Sequence, residues 1–508
     1  MSLAHLTVVW VALPFFVGFS IYLLPQFDRR LALAIALGSI AYGIQALMLP
    51  EALSLGLIDH FGVTLLVDSL SGYFILTNGL VTAAVIFYCW QKEKSSFFYT
   101  QTIILHGSVN AVFICADFMS LYVALEVIGI AAFLLVAYPR TNRSIWVALR
   151  YLFISNTAML FYLIGAILVY QAHHSFAFTG LSGAPTEAIA LIFLGLLTKG
   201  GIFVSGFWLP LTHSEAETPV SALLSGVVVK TGVFPLVRCA VLIPELDPIV
   251  RLFGMGTALL GVSYAIFAKD TKRMLAFHTV SQLGFVMAAP IQIVAGFYGL
   301  THGLVKSALF LGAGNLPSRQ FKTLKHQPLP WSLWGGMAVA SLSISGFPLL
   351  AGFGAKALTL KNLLPWQTVL MNLAAIGTAI SFAKFLFLPM QPPFAWATSS
   401  PPEHSPSPEV SQTVSFESVH SPQAGNSGLW LAWTLLLGGL VVTNGLYWPA
   451  YTGTKVLKAL GTLVLGWAIY HGIIRRVSLQ LPRVLEEFDH LLGMMSVMLT
   501  LLFWLVLA

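Results

Sequence analysis

The chain has 508 residues, 57% of them hydrophobic and only 9% charged, with a mean hydropathy of +0.84. A soluble domain carries about a quarter charged residues. This composition therefore excludes a cytosolic enzyme, a nucleic-acid binder and a disordered chain, and leaves a polytopic membrane protein; the net charge of +7 reads as a bias of Lys and Arg toward one membrane side.

A bilayer-spanning helix needs about 20 apolar residues. About sixteen such stretches follow one another, near 4–24, 31–49, 70–91, 102–119, 121–138, 147–170, 187–209, 218–243, 249–268, 273–290, 296–314, 332–360, 367–388, 429–447, 455–473 and 491–507. The first, Leu3 to Leu24, lacks a basic start and a small-residue cleavage site, and reads as a retained helix. Two stretches should be broken. One, 187–209, has Gly200-Gly201 inside and ends at Pro210; the other, 332–360, contains Gly346-Phe347-Pro348 and Gly352-Phe353-Gly354. Residues 391–427 are rich in Pro and Ser and read as a flexible inner-side loop. Cys89, Cys115 and Cys239 lie in apolar runs without metal spacing and read as small buried residues. His173-His174 falls in an outer loop with no further ligand beside it. The chain shows no haem-ligand pair, G-x-G-x-x-G or P-loop, so no cofactor and no metal are expected.

Lys and Arg test the alternation. With the N-terminus outside, the inner loops hold about 15 of the 26, from Arg29, Arg30, Lys92 and Lys94 through Arg140 and Arg143 to Arg475, Arg476 and Arg483. The outer side has about five, with Glu51, Asp59, Asp68, Glu245 and Asp247. Both termini are expected on the outer side.

A charge at the bilayer centre costs a few kcal/mol, so such residues face the protein interior and are functional candidates. Glu126, Lys199, Lys230 and Lys356 sit mid-span among apolar residues. Lys306 follows His302 by one turn, which places both on one helix face. His278 lies in the preceding long helix, and Lys384 lies near the inner boundary, where snorkelling competes with function. Lys199 precedes Lys230 by 31 residues and Lys356 precedes Lys384 by 28, the two pairs being offset by 157 and 154 positions. Two five-helix units would give this, and an odd number of helices inserts successive copies in opposite directions. The expected organisation is N-terminal helices over 1–100, a first repeat over 101–245, a second over 246–390, the 391–427 loop, and C-terminal helices over 428–508.

Three runs carry a family resemblance. Trp208-Leu209-Pro210-Leu211-Thr212-His213 through Pro219-Val220-Ser221-Ala222-Leu223-Leu224 to Lys230-Thr231-Gly232 resembles the WLP-x-A-H-x-x-A-P-x-x-V-S-A-L-L-x-G-x-x-x-K-T-G signature of the proton-conducting antiporter-like membrane subunits. These occur in complex I, membrane-bound hydrogenases and Mrp cation/proton antiporters. The run 269–277 is similar to the family's D-x-K-R-x-L-A-Y, and His302 with Lys306 to Phe310 is similar to its H-A-x-x-K-x-x-L-F. The likeness covers most of residues 60–390. It implies an all-α polytopic membrane protein with about 14 core helices in two inverted five-helix repeats, broken helices, and about two extra C-terminal helices. By the same resemblance Glu126 pairs with Lys199, Lys230 is the central lysine, and Lys356 occupies the terminal site. His278 stands where the family usually has Ser or Thr. Lys356 stands where the complex I subunit at the fourth-chain position typically has glutamate, and here the chain resembles the D-type member of the Mrp antiporters.

The resulting expectation is a proton-translocating subunit of a multisubunit Na+/proton antiporter, without a redox or bond-making site of its own, in a plasma or thylakoid-type energy-transducing membrane. Protons would move along Glu126, Lys199, Lys230 and Lys356, with His278, His302, Lys306 and Lys384 as further relays; the partners would be other membrane subunits, lipid, protons and Na+. Two alternatives stay open: the proton-pumping subunit of a complex I-like NAD(P)H or ferredoxin:quinone oxidoreductase, and the membrane subunit of an inorganic carbon uptake complex.

Overall fold

The computed structural model describes residues 2–58, 62–391, 427–477, 479 and 481–507. The Pro/Ser-rich loop expected over 391–427 lies, apart from its two end residues, outside the described residues. The first helices are α1 (Leu3–Leu23) and α2 (Asp28–Leu47). A two-stranded antiparallel hairpin follows, β1 (Leu53–Ile58) and β2 (Gly62–Val67). Then come α3 (Ser69–Cys89), α4 (Ser96–Val112), α5 (Phe118–Val136), α6 (Asn142–His173), α7 (Thr186–Gly200), α8 (Trp208–Glu215), α9 (Thr218–Leu223), α10 (Lys230–Leu242), α11 (Asp247–Phe267), α12 (Thr271–Ala288) and α13 (Gln292–Ala313). After the short α14 (Phe321–Leu324) follow α15 (Trp331–Ser345), α16 (Ala351–Lys361), α17 (Pro365–Leu386), α18 (Ser427–Asn444), α19 (Gly453–Ile469) and α20 (Phe488–Leu507).

Taking α7–α8, α9–α10 and α15–α16 each as one interrupted span, sixteen helical spans are present among the described residues. Thirteen of them are long and apolar enough to cross a membrane as they stand. The other three, α4, α12 and the broken α15–α16, are shorter or more polar. The all-helical membrane class and the number of spans follow the sequence reading. The hairpin does not, because its strands are six residues each and sit between apolar helices. The span expected over 102–119 is α4, which ends at Val112. Beyond it, Cys115 pairs with Leu65 of the hairpin, and Asp117 caps α5 by accepting from Ser120 N at 2.7 Å. Asp68 and Asp270 cap α3 and α12 in the same way.

The chain crosses back and forth, so the hairpin and Asp68, Asp117 and Asp247 share one face. Lys92, Lys94, Arg143, Lys272 and Arg319 share the other. These are termed the hairpin face and the basic face. On the basic face, Lys94 pairs with Glu217 at 2.6 Å, and Arg319 with Asp270 at 3.1 Å. The centre is formed by α3, α9–α10 and α13, whose apolar windows are 94%, 100% and 94% buried. The rim includes α1, α19 and α20, at 28%, 17% and 22%.

Two successive sets of five spans, α4 to α10 and α11 to α17, are each broken in the fourth span. At the breaks Gly201 and Gly346 take left-handed φ of +68° and +88°, which only glycine adopts without cost. Shortly after each, Phe203 and Leu349 are also left-handed. Their N–H groups are taken up by hydroxyls, Phe203 N by Thr257 at 3.0 Å and Leu349 N by Tyr451 at 2.9 Å. The breaks lie 145 positions apart (201 to 346), not the 157 and 154 of the lysine pairs. Lys199 precedes its break, whereas Lys356 follows its own on α16. Lysine spacing therefore does not mark equivalent positions in the two sets.

The α7–α10 crossing is set by backbone contact. A methyl at Gly232 would lie 2.3 Å from Gly200 N and 2.5 Å from Leu196 O, distances that force the helices apart. Gly232→Ala is expected to cost roughly 1–3 kcal/mol of stability, read as a lowered melting temperature. Gly335→Ala, with nothing within 4 Å, should melt like the parent.

Candidate functional site

Lys199 sits in the last turn of α7, 4% exposed. Its ammonium donates to Ser155 Oγ of α6 at 2.6 Å. Gly129 of α5 lets it approach: a methyl there would lie 3.2 Å from Nζ. Glu126 lies three residues earlier on α5, half-buried, and its charge is close enough to attract that of Lys199. The ion pair expected between them is not formed at contact distance, and Ser155 takes the hydrogen bond instead. Ser155 of α6 is absent from the sequence-based set of site residues. A lone serine in an apolar helix 44 residues from its lysine gives no signal in the sequence.

Lys230 opens α10, directly after a π turn over Leu224–Val228. A π turn shifts the hydrogen-bond ladder and frees carbonyls at that level. Lys230 Nζ donates to Ser225 O at 3.3 Å and to Gly226 O, so backbone dipoles solvate a fully buried ammonium. On α13, Gly303 leaves space for it: a methyl there would lie 3.5 Å from Nζ. His302 is the adjacent residue. One turn further, Lys306 donates to Leu275 O of α12 and lies 5.1 Å over the Phe310 ring. The opposite partner of that ring is His213 of α8, stacked at 4.9 Å. His213 belongs to the signature run but is not among the sequence-based site residues.

His278 of α12 packs on Phe382 of α17 at 4.5 Å. Lys356 lies beside the left-handed Gly346 and 5.4 Å over the Phe285 ring. Buried polar groups need hydrogen-bond partners. Yet both ring nitrogens of His213, His278 and His302, and Nζ of Lys356, have none within the protein. Ordered water is the partner that such buried groups ordinarily recruit. The structure thus brings Lys230, His302, Lys306, His278 and Lys356 to the facing sides of α10, α12, α13 and α16. Lys199 with Glu126 and Ser155 forms a second group on α5, α6 and α7.

Lys384 stands apart. It is half-buried and donates to Ala265 O at 3.3 Å, in the last turn of α11, and to Ala268 O at 2.8 Å, just beyond the end of the helix. That is the position in which a cation satisfies a helix C-terminus and its dipole. His174 ends α6 in a left-handed conformation, with φ +51°.

A sequence profile of the family described as NADH:quinone oxidoreductase/Mrp antiporter, transmembrane, matches residues 115–381. The chain is 28% identical to the D-type component of the Na(+)/H(+) antiporter of Alkalihalophilus pseudofirmus, over 64% of this chain and 72% of that protein. It is 31% identical to the N-type component of the NADH-quinone oxidoreductase of Desulforudis audaxviator, over 70% and 79%. Its fold matches a chain of the membrane-bound sulfane sulfur reductase, an archaeal respiratory membrane complex. The TM-score is 0.73 over 92% of this chain and 99% of that one, at 19% identity.

The capping geometry of Lys384 predicts a measurable stability role. Lys384→Gln should cost about 1 kcal/mol, seen as a lower melting temperature in lipid nanodiscs, and Lys384→Arg should recover most of it.

Proposed function

The chain belongs to the NADH:quinone oxidoreductase/Mrp antiporter transmembrane family, and on that premise we propose that it is the proton-translocating subunit of a multisubunit Na+/proton antiporter. The observation that carries this reading is the arrangement of buried ammonium and imidazole groups across α7, α10, α12, α13 and α16, several of them without a protein partner. The α4–α10 and α11–α17 sets are taken as inverted repeats, and the basic face as the inner side.

Each residue has a role. Lys199 holds a proton hydrogen-bonded to Ser155, with the Glu126 carboxylate near enough to act on it through its charge. Burial disfavours a charged ammonium and a nearby carboxylate favours it. When Glu126 moves away, Lys199 releases its proton through water to Lys230, where Ser225 and Gly226 carbonyls receive the new charge. His302 and Lys306 carry it along α13, and His278 links them to Lys356. Lys356 releases it toward one face, with Lys384 as a further outlet. The switch is a movement of charge, not a covalent reaction. Partner membrane subunits would couple this flux to Na+ exit.

A second reading has specific support. The relative with the higher identity of the two curated proteins is a component of a NADH-quinone oxidoreductase. The same residues would then serve a complex I-like proton pump. Co-purification with flavin and iron–sulfur subunits selects that reading, and sodium-dependent exchange without them selects the antiporter.

In the assembled complex in vesicles, Lys230→Ala should lower coupled proton flux by roughly 100-fold and Glu126→Ala by a smaller factor, read with a pH-sensitive dye. Normal coupled transport by an assembled Lys230→Ala complex defeats the proposal.

A further inference from the structure

The central lysine is walled off from the hairpin face by two layers on its own helix. Lys230, Phe234 and Arg238 are spaced i, i+4 and i+8 along α10. The first layer is aromatic. Phe234 meets Phe74 of α3 and Phe113 at the end of α4, each at 5.2 Å, and those two lie 5.1 Å apart. All three rings are fully buried. The second layer is ionic. Arg238, 1% exposed, makes a two-pronged pair with Asp68, with Nη2 donating to Oδ1 at 3.0 Å and Nη1 to Oδ2. Nη2 also donates to Ser71 Oγ at 2.9 Å.

Asp68 is itself held from outside the ring layer. Gln292 Nε2, at the start of α13, donates to Asp68 Oδ2 at 3.2 Å. Gln292 also lines an open groove of about 540 Å³ at the hairpin face, with Ala240, Pro244, Asp247 and Ile293. A route from the groove to Lys230 thus meets Gln292, the ion pair and the three phenylalanines in turn. Burial alone would raise the Asp68 carboxyl, but the hydrogen bonds and charge of Arg238 outweigh it and hold it below the usual carboxylate range. Arg238 Nε is buried and unpartnered, leaving the guanidinium a spare donor.

The helix that carries these layers is built to bend. The π turn precedes Lys230, and Pro235 lies inside α10 next to Phe234. Proline removes a backbone donor and clashes with the preceding turn, so both weak points bracket the aromatic layer. We propose that the Asp68–Arg238 pair and the Phe74–Phe113–Phe234 cluster form a gate that seals Lys230 from the hairpin face, opening when α10 bends away from α3. This rests on the proton-translocating reading above and adds to it the barrier against leak.

The test is passive proton leak in vesicles holding the assembled complex without turnover. Asp68→Asn leaves Arg238 buried and uncompensated, and should raise the leak by about tenfold. The exchange Asp68→Arg with Arg238→Asp should restore much of the seal, and adding Lys230→Ala to Asp68→Asn should abolish the leak. A pair that only staples α3 to α10 predicts lower melting temperatures with wild-type leak, and that result in an assembled Asp68→Asn complex overturns the gate. If Asp68→Asn does not assemble, Gln292→Leu removes only the groove-side hydrogen bond. An assembled Gln292→Leu complex should leak more than the parent, and unchanged leak overturns the gate. Failure of the underlying reading is separable, because it appears as normal coupled transport in Lys230→Ala alone.

Discussion

A charged ammonium in a membrane interior has to be solvated by the protein, and the backbone of this chain bends to provide that solvation. At Lys230 the solvent is a pair of carbonyls at 3.3 Å and closer, freed by a π turn. Lys306 takes a carbonyl of a neighbouring helix, and Lys199 a hydroxyl at 2.6 Å. Irregular backbone is tolerated at membrane depth only where protein or water covers it. The π turn, the two helix breaks and the small residues around them are therefore one requirement met in several places. Gly303 leaves room beside Lys230, and Gly129 beside Lys199. A larger residue at either point would press on the group that the helix distortion exists to hold.

The two five-helix sets meet this requirement differently. In the first, the lysine precedes the left-handed glycine and points at α5 and α6. In the second, Lys356 follows it, and Nζ lies over the Phe285 ring with no hydrogen-bond partner in the protein. The strained residue after each break is held by a hydroxyl, but the sources differ. Thr257 lies within the second five-helix set, whereas Tyr451 comes from the segment after α18 and is itself held by Asn444 at 2.6 Å. The C-terminal helices thus reach the core machinery. On the other flank α20 packs beside α7, and Glu486 just before it pairs with Arg273 of α12.

Much of this was legible in the sequence because charge in an apolar run is conspicuous. Glu126, Lys199, Lys230, Lys306 and Lys356 announce themselves against their neighbours, and Gly200-Gly201 and Gly346-Phe347-Pro348 mark the breaks. The partners were not legible. Ser155 and Thr257 are ordinary residues in helices, and a carbonyl exposed by a π turn has no letter in the sequence. The hairpin is hidden because six-residue strands of leucine, valine and glycine look like frayed helix ends. Lysine spacing points to the repeat, yet the breaks give a different offset.

The buried histidines fall into two kinds by hydrogen bonding alone. His106 of α4 is as buried as His278, at 1% against 0% exposure, but its surroundings are closed. His106 Nε2 lies 2.8 Å from Ser39 Oγ and 3.1 Å from Asn110 Nδ2, which also donates to Ser39 Oγ at 3.0 Å. Its Nδ1 is hydrogen-bonded with Thr82 Oγ1 at 2.9 Å. Thr82 donates to Asn78 Oδ1 at 3.4 Å, and Asn78 Nδ2 to Asn110 Oδ1 at 2.8 Å, which completes the ring. Both imidazole nitrogens of His106 are thus occupied by protein groups, and the ring ties α3 to α4. His278, His302 and His213 have both nitrogens free of protein partners and carry no such constraint. Burial is the same for both kinds; what differs is whether protein neighbours occupy both ring nitrogens.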